Sequence, residues 1–273
     1  MIDNPRSPRI RAVAKLRKKD ARSQTGLFLL EGPQAVAEAL TYRPELVVEL
    51  YSTPTAFERF TDIAQTAVDA GVDVEFVTEQ VLDAIADTVT PQGIVAVCHQ
   101  FPTSVRDLLP PLDPKGDSGP RLIAVLEEVR DPGNAGTIIR AADAAGADGV
   151  ILSGRSVDLY NPKVVRATTG SIFHLAIAVG PAVETVLERT RSAGLQILAA
   201  DIKGEPLPAV RAEGLLALPT AWLFGNEARG LSDAQLALAD RTVSVPLYGH
   251  AESMNLATAA SVCLYESAFA QRA

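Results

Sequence analysis

Apolar positions along this chain fall into short, nearly unbroken runs rather than one long periodic face. In the second half they occupy residues 122–129, 149–154, 175–179, 195–201, 220–225 and 242–246. Between these runs, residues 135–146, 161–173, 183–194 and 232–240 repeat apolar side chains at helical spacing, and 255–271 adds a last helical stretch. Continuous apolar strands alternating with amphipathic helices predict a parallel sheet covered on both faces. Ligands of such sheets bind beyond the carboxyl ends of the strands. The first half predicts strands at 27–30, 46–52, 72–78 and 93–100 and helices at 34–40 and 56–71, a small α/β domain. The stretch "LLPPLDPKGDSGPR" (108–121) concentrates proline, glycine and small polar residues, as a linker does. The expected division is a domain over 1–108, a linker over 109–120 and a domain over 121–273.

Composition adds limits. A chain of 273 residues that is 47% hydrophobic and 21% charged can bury one large core or two of ordinary size. It has no run of eighteen apolar residues, so no membrane span is expected. Its start lacks the apolar stretch of a secretory signal. Cys98 and Cys263 lack metal-ligand spacing apart from the Cys98–His99 pair, and they read as buried thiols in a reducing compartment. A cytoplasmic protein without a metal is expected. Charge changes the picture more. The net charge of -8 argues against nucleic acid, yet residues 1–23 carry eight basic side chains against two acidic ones. That segment is either an arm that finds phosphate or a solvated helix face. Aromatics and histidines are scarce, so stacking on many splayed bases is not the expected mode of RNA reading.

Three strand ends carry unusual loops. In "RDPGNAGTIIRAADAAG" (130–146), a turn at Asp131-Pro132-Gly133 leads to Asn134, placed where a helix N-cap would stand. Thr137, Arg140 and Ala144 then share one helix face, with Ile138, Ile139 and Ala142 turned inward. On that face Arg140 either pairs with Asp143 or faces a ligand. In "LFGNEARG" (223–230), Gly225 and Gly230 permit close backbone approach or positive φ, and Glu227 is a carboxylate at a strand end, which needs a partner or a site. Ser232 caps the next helix. In "VSVPLYGHAESMNLATAASVCLYE" (243–266), Ser253 or Asn255 is placed to cap the last helix, and His250 reads as a solvated loop histidine. Neither a G-x-G-x-x-G nor a P-loop motif occurs, and there is no G-x-S-x-G elbow or zinc constellation, which disfavours ordinary dinucleotide, nucleoside triphosphate, hydrolase and zinc sites.

In this order the three stretches resemble the SpoU family of the SPOUT class, the 2'-O-ribose RNA methyltransferases, over about residues 121–266. "FLLEGPQAV" and "TPQGIVAV", with the basic start, resemble that family's small L30e-like RNA-binding domain. Thiostrepton-resistance-type ribosomal RNA methyltransferases share the layout. The resemblance implies an α/β fold with a deep trefoil knot and parallel sheet in the carboxyl-terminal domain, a homodimer, and S-adenosylmethionine as cofactor. It implies cofactor binding at Gly225, Val245 and Met254, with Leu223, Gly230, Pro246 and Leu247 in the same loops; Met254 stands where the family usually has leucine. Asn134, Arg140, Glu227, Ser253 and Asn255 match its polar catalytic and binding positions. Arg9, Arg17, Lys18, Glu31 and Arg166 are the candidate RNA contacts.

The expected reaction is methyl transfer to a ribose 2'-hydroxyl of structured RNA, with 23S ribosomal RNA favoured over transfer RNA. The task is alignment plus removal of one proton. Because a guanidinium holds its proton tightly, Arg140 is assigned as a clamp on phosphate and developing alkoxide rather than as a base. The alternatives are a transfer RNA 2'-O-methyltransferase, a base methyltransferase of the same class, and a non-catalytic RNA-binding or ribosome-assembly factor.

Overall fold

The computed structural model describes residues 1–112 and 119–273, so much of the expected linker lies outside the described residues. Backbone proximity divides the chain into two units, Met1–Phe101 with Asp158–His174, and Pro102–Val157 with Leu175–Ala273. This grouping departs from the sequence boundaries in two places. Residues 102–108 fall in the second unit because Leu108 and Leu109 are buried in its core. Residues 158–174 fall in the first because Tyr160 and Phe173 join Phe28 and Phe101 in an aromatic cluster, with the Tyr160 and Phe28 rings 4.8 Å apart. The few aromatics of the chain are thus partly spent on packing.

The first unit holds β1 (Leu27–Glu31), β2 (Val47–Ser52), β3 (Val74–Phe76) and β4 (Ile94–His99) in the order β1-β4-β2-β3. β4 runs antiparallel to β1 and β2, and β3 is parallel to β2. Phe28, Leu29 and Leu30 are all buried, as are Val95, Ala96 and Val97, so both faces are covered and the apolar runs are unbroken. The basic start folds into helices Pro8–Lys15 and Lys19–Thr25. Ser7 caps the first, and Ile10, Val13 and Leu16 enter the core beside Tyr51, Val81, Leu82 and Ile85. The segment is therefore a packed amphipathic helix with a basic outer face, not a trailing arm.

In this unit two predicted helices are shorter than their patterns. The expected 56–71 helix is two, Pro54–Arg59 and Thr61–Asp69, parted where Phe60 leaves helical geometry at φ -110° and ψ 59°. The expected 161–173 helix ends at Thr168, because Thr169 and Gly170 take φ of 54° and 102°.

The second unit is a six-stranded, all-parallel sheet. Its strands are β5 (Leu122–Glu127), β6 (Gly149–Ser153), β7 (Ala176–Val179), β8 (Gln196–Pro206), β9 (Thr220–Phe224) and β10 (Arg241–Ser244), in the order β10-β8-β9-β5-β6-β7. The chain steps from β5 outward to β7, returns to β8, and then lays β9 between β8 and β5. Strand order therefore reverses around β5, a switch point that opens a crevice at the carboxyl ends. One face packs on helix Val183–Ser192, with Val186 and Leu187 buried against Ile123, Val125 and Leu223. On the last helix, Leu256–Gln271, Ser267 Oγ accepts a hydrogen bond from Trp222 Nε1 at 2.9 Å, which anchors the single tryptophan. The helix after β9 is only Asp233–Leu236, and Ser232 and Gln235 form its reciprocal capping box. Among the described residues no helix is long and apolar enough to cross a membrane.

Candidate functional site

The loop after β9 is held by two glycines for different reasons. A Cβ on Gly225 would stand 2.5 Å from the Gly230 carbonyl carbon and 2.7 Å from Leu231 N, so only a bare backbone fits. Gly230 has φ of 65°, a left-handed conformation costly for other residues. Asn226 closes the loop: its Oδ1 accepts from Ala228 N and Arg229 N, and its carbonyl accepts from Gly230 N at 2.8 Å. Gly225→Ala is expected to cost about 1–3 kcal/mol through overpacking that no rotamer relieves. Thermal melting reads this as a lowered midpoint.

Glu227 at the loop tip is the partner the sequence asked for. Its carboxylate accepts from Asp131 N at 2.9 Å and Arg130 N at 3.2 Å, and stands 3.4 Å from Asn134 Nδ2. Asn134 Oδ1 accepts from Asn255 Nδ2 at 3.0 Å. Asn255 Oδ1 in turn caps the last helix through Ala257 N and Thr258 N. Helix Pro132–Ala144 begins earlier than expected: Asp131, not Asn134, is its N-cap, accepting from Asn134 N at 2.7 Å. With Pro132 at the first helical position, Asn134 lies inside the helix and its amide is left free to join Glu227 to Asn255. The three loops are thus tied by one directed chain of hydrogen bonds.

Beside that chain lies a cavity of about 460 Å³. Its wall takes Gly225 to Gly230 from β9's loop, and Val245, Leu247, Ser253 and Met254 from the third loop. Phe224, Leu231, Val243 and Leu256 make it largely apolar. Two expected wall residues are absent. Leu223 is fully buried in the core on the other side of the sheet, since successive strand side chains alternate and Phe224 takes the cavity face. Pro246 also does not line the cavity, although both its neighbours do. Sequence reading missed Asp201, Ile202 and Lys203, which enter the wall from β8. The acidic end of the run at 195–201 was the available signal.

Arg140 is not at the cavity. It is on the exposed face of its helix, as the periodicity predicts, six residues or about 9 Å of rise beyond Asn134. Among the described residues it makes no hydrogen bond or ion pair. Ser253 and His250 are both exposed.

Beneath the first loop, Glu127 is buried and its pKa is raised by burial, against opposing hydrogen bonds from Ser153 Oγ at 2.5 Å and Gln235 Nε2 at 3.1 Å. A carboxyl raised in the folded state binds more protons there than when unfolded, so stability falls as pH climbs from the ordinary 4.5 through the raised value. Glu127→Gln is expected to remove that fall and to melt higher than the parent at pH 7, as scans across pH would show.

The candidate RNA contacts sit in the first unit. Arg9 pairs with Glu75 at 2.8 Å and Glu49 at 3.4 Å, and the Glu75 hydrogen bond holds it above the usual arginine range. Arg17 donates to the carbonyls of Ala86 and Ala14. Lys18 is exposed. Glu31 accepts from Asp87 N, Thr88 N and Thr88 Oγ1, which pins the neighbouring loop. Arg166 Nη1 is 3.0 Å from Asp87 and 3.6 Å from Glu31, yet no aligned N–H bond forms. Glu31, Gln34, Thr90, Gln92 and Arg166 line a second cavity of about 240 Å³.

Residues 121–265 match the SpoU rRNA Methylase family, and residues 29–104 match the RNA 2'-O ribose methyltransferase substrate binding domain. The chain belongs to the SpoU rRNA methylase family. Among curated members it is 31% identical to the 23S rRNA (guanosine(2553)-2'-O)-methyltransferase RlmP of Bacillus subtilis, over 97% of each chain. Among solved structures of the family, an AdoMet-bound rRNA methyltransferase from Sinorhizobium meliloti superposes with a TM-score of 0.81 at 31% identity, covering 97% of this chain and 96% of that one. The SpoU methyltransferase AviRb from Streptomyces viridochromogenes, solved with AdoMet, gives 0.79 at 29% identity, covering 97% and 99%. Both halves of the resemblance read from the sequence therefore hold at the level of family, as does the mixed α/β fold with a parallel sheet.

Proposed function

We propose that this protein transfers the methyl group of S-adenosylmethionine to a ribose 2'-hydroxyl of 23S ribosomal RNA. The observation that carries the reading is the chain Glu227–Asn134–Asn255, which joins three strand-end loops beside a nucleoside-sized cavity. Apolar stretches of wall, bare backbone at Gly225 and Gly230, and the charged side chains of Asp201, Lys203, Glu227 and Arg229 fit a nucleoside bearing an amino-acid tail. Main-chain groups at Gly225, Val245 and Met254 would hold it, with Leu247 and Phe224 excluding water. When bound, that cofactor supplies an electrophilic methyl group on a sulfonium. The chain's own task is to orient the ribose and receive charge from its hydroxyl.

Asn134, Asn255 and Ser253 offer amides and a hydroxyl for the ribose, and Glu227 fixes the loop that carries Asn134. Arg140, with its guanidinium uncommitted, would clamp the target phosphate and stabilise the developing alkoxide, with the proton passing to phosphate or water. Arg140→Lys keeps the charge but loses the planar fork, and is expected to cut turnover about 100-fold. Near-full turnover in that variant would discard the clamp.

The reading includes a homodimer, a trefoil knot around β9 and β10, a cytoplasmic location, and RNA docking on the amino-terminal domain. Helix Leu256–Gln271 supports the dimer. Glu266 is its one charged residue, and it leaves Tyr265 and Phe269 exposed. A helix apolar on all sides is normally covered on all sides. The deciding experiment incubates the protein with tritiated S-adenosylmethionine and protein-free 23S transcript or bulk transfer RNA, then maps the label. Label on a 2'-oxygen of the 23S transcript supports the reading. Label on a base, on transfer RNA alone, or nowhere overturns it.

A further inference from the structure

Two arginines beside the site converge on one carboxylate. Arg229 Nη2 is 2.5 Å from Glu128 Oε2, and Arg130 Nη2 is 3.4 Å from the same oxygen. Glu128 is the fixed member of the trio. Its backbone is left-handed at φ 50°, its N–H donates to Ser153 O, and its carbonyl accepts from Asn226 Nδ2 at 2.8 Å. A non-glycine residue persists in that conformation only where its surroundings over-determine it. The arginines, by contrast, are 57% and 66% exposed on long stems. Among the described residues each guanidinium commits only Nη2, which leaves most of its donors to solvent.

Both arginines belong to the catalytic loops. Arg229 lines the cavity, and the backbone N–H of Arg130 holds Glu227. The chain carries a net charge of -8, so a polyanion has to be drawn by local cationic groups. A phosphate offers several oxygens to two guanidinium forks at once, whereas Glu128 offers them a single shared oxygen.

We propose that Arg130 and Arg229 form a binding site for an RNA backbone phosphate next to the target nucleotide, and that Glu128 is the resting counter-ion which this phosphate displaces. The site rests on the RNA methyltransferase reading and is distinct from the phosphate assigned to Arg140. It makes Glu128 an acidic side chain whose removal favours binding of a polyanion.

The test is filter binding of protein-free 23S transcript across a salt series, with melting curves to confirm folding. Glu128→Gln and Glu128→Gly should both tighten RNA binding severalfold; the glycine variant also relieves the left-handed backbone, so loss of folding cannot mask the result. Arg229→Gln and Arg130→Gln should each weaken binding and lower the slope of log affinity against log salt by about one. Unchanged or weaker binding in the Glu128 variants, or an unchanged slope in the arginine variants, overturns the site. Because the readout is binding, the two readings fail separately: a wild type that binds the transcript with the expected variant pattern but transfers no label keeps the site and loses the reaction. A wild type that does not bind at all loses both.

Discussion

Glu227→Ala should reduce methyl transfer about 100-fold, the cost of a misplacement of roughly an ångström in a positioned reaction. Among the described residues the carboxylate is the only group that gathers Arg130 N, Asp131 N and the Asn134 amide at one place. Without it the first loop keeps only the contacts of Asn226 and Arg229 with Glu128 to tie it to the loop after β9, and the Asn134 side chain keeps only Asn255 among the described residues. The residue is exposed, so water can satisfy the abandoned donors and the melting temperature should move little. Glu227→Gln is expected to fall between: one oxygen still accepts, but its NH2 faces two backbone donors. Initial rates with labelled cofactor, beside melting curves, check both. An alanine variant with parental turnover would show that the loops are held by other means.

Asp158→Asn should destabilise the first unit by about 3–5 kcal/mol, the cost of stranding a buried charge. Arg22 is 3% exposed, and its guanidinium spans Asp158 Oδ2 and the carbonyls of Leu16 and Arg17 at 2.8 Å. The pair pins segment 158–174 to the turn between the two amino-terminal helices. Arg22 and Asp158 replaced together by apolar residues of similar volume should cost much less, since no orphaned charge remains. Urea unfolding of the single and double variants distinguishes these outcomes. A mild effect from Asp158→Asn would mean the guanidinium is already hydrated.

Each of the ten apolar runs read from the chain is a strand in the structure. Strands buried on both faces, as β5, β6 and β9 are, admit few polar residues, so their mark survives in one sequence. The three loops were legible too, because glycine, asparagine and glutamate at a strand end conflict with a simple turn. Pairings were not. Asn134 has the chemistry of a cap, and only the placement of Asp131 and Pro132 shows that its amide serves Glu227 instead. Leu223 and Phe224 are equally apolar, and the twist and register of β9 decide which one meets the cavity. The basic start read equally well as arm or helix until Ile10, Val13 and Leu16 found a core.

By itself, then, the order of residues determined the strands, the parallel α/β class, the family and the loops in which chemistry resides, because these depend on local periodicity and on residue types that tolerate few other uses. Only the tertiary structure decided that Arg22 belongs with Asp158, that Arg130 and Arg229 share Glu128, and that Arg140 stays apart from the cavity. Hydrogen bonds and ion pairs between distant segments depend on where strands bring them within a few ångströms, and the spacing of residues along one chain carries no record of that distance.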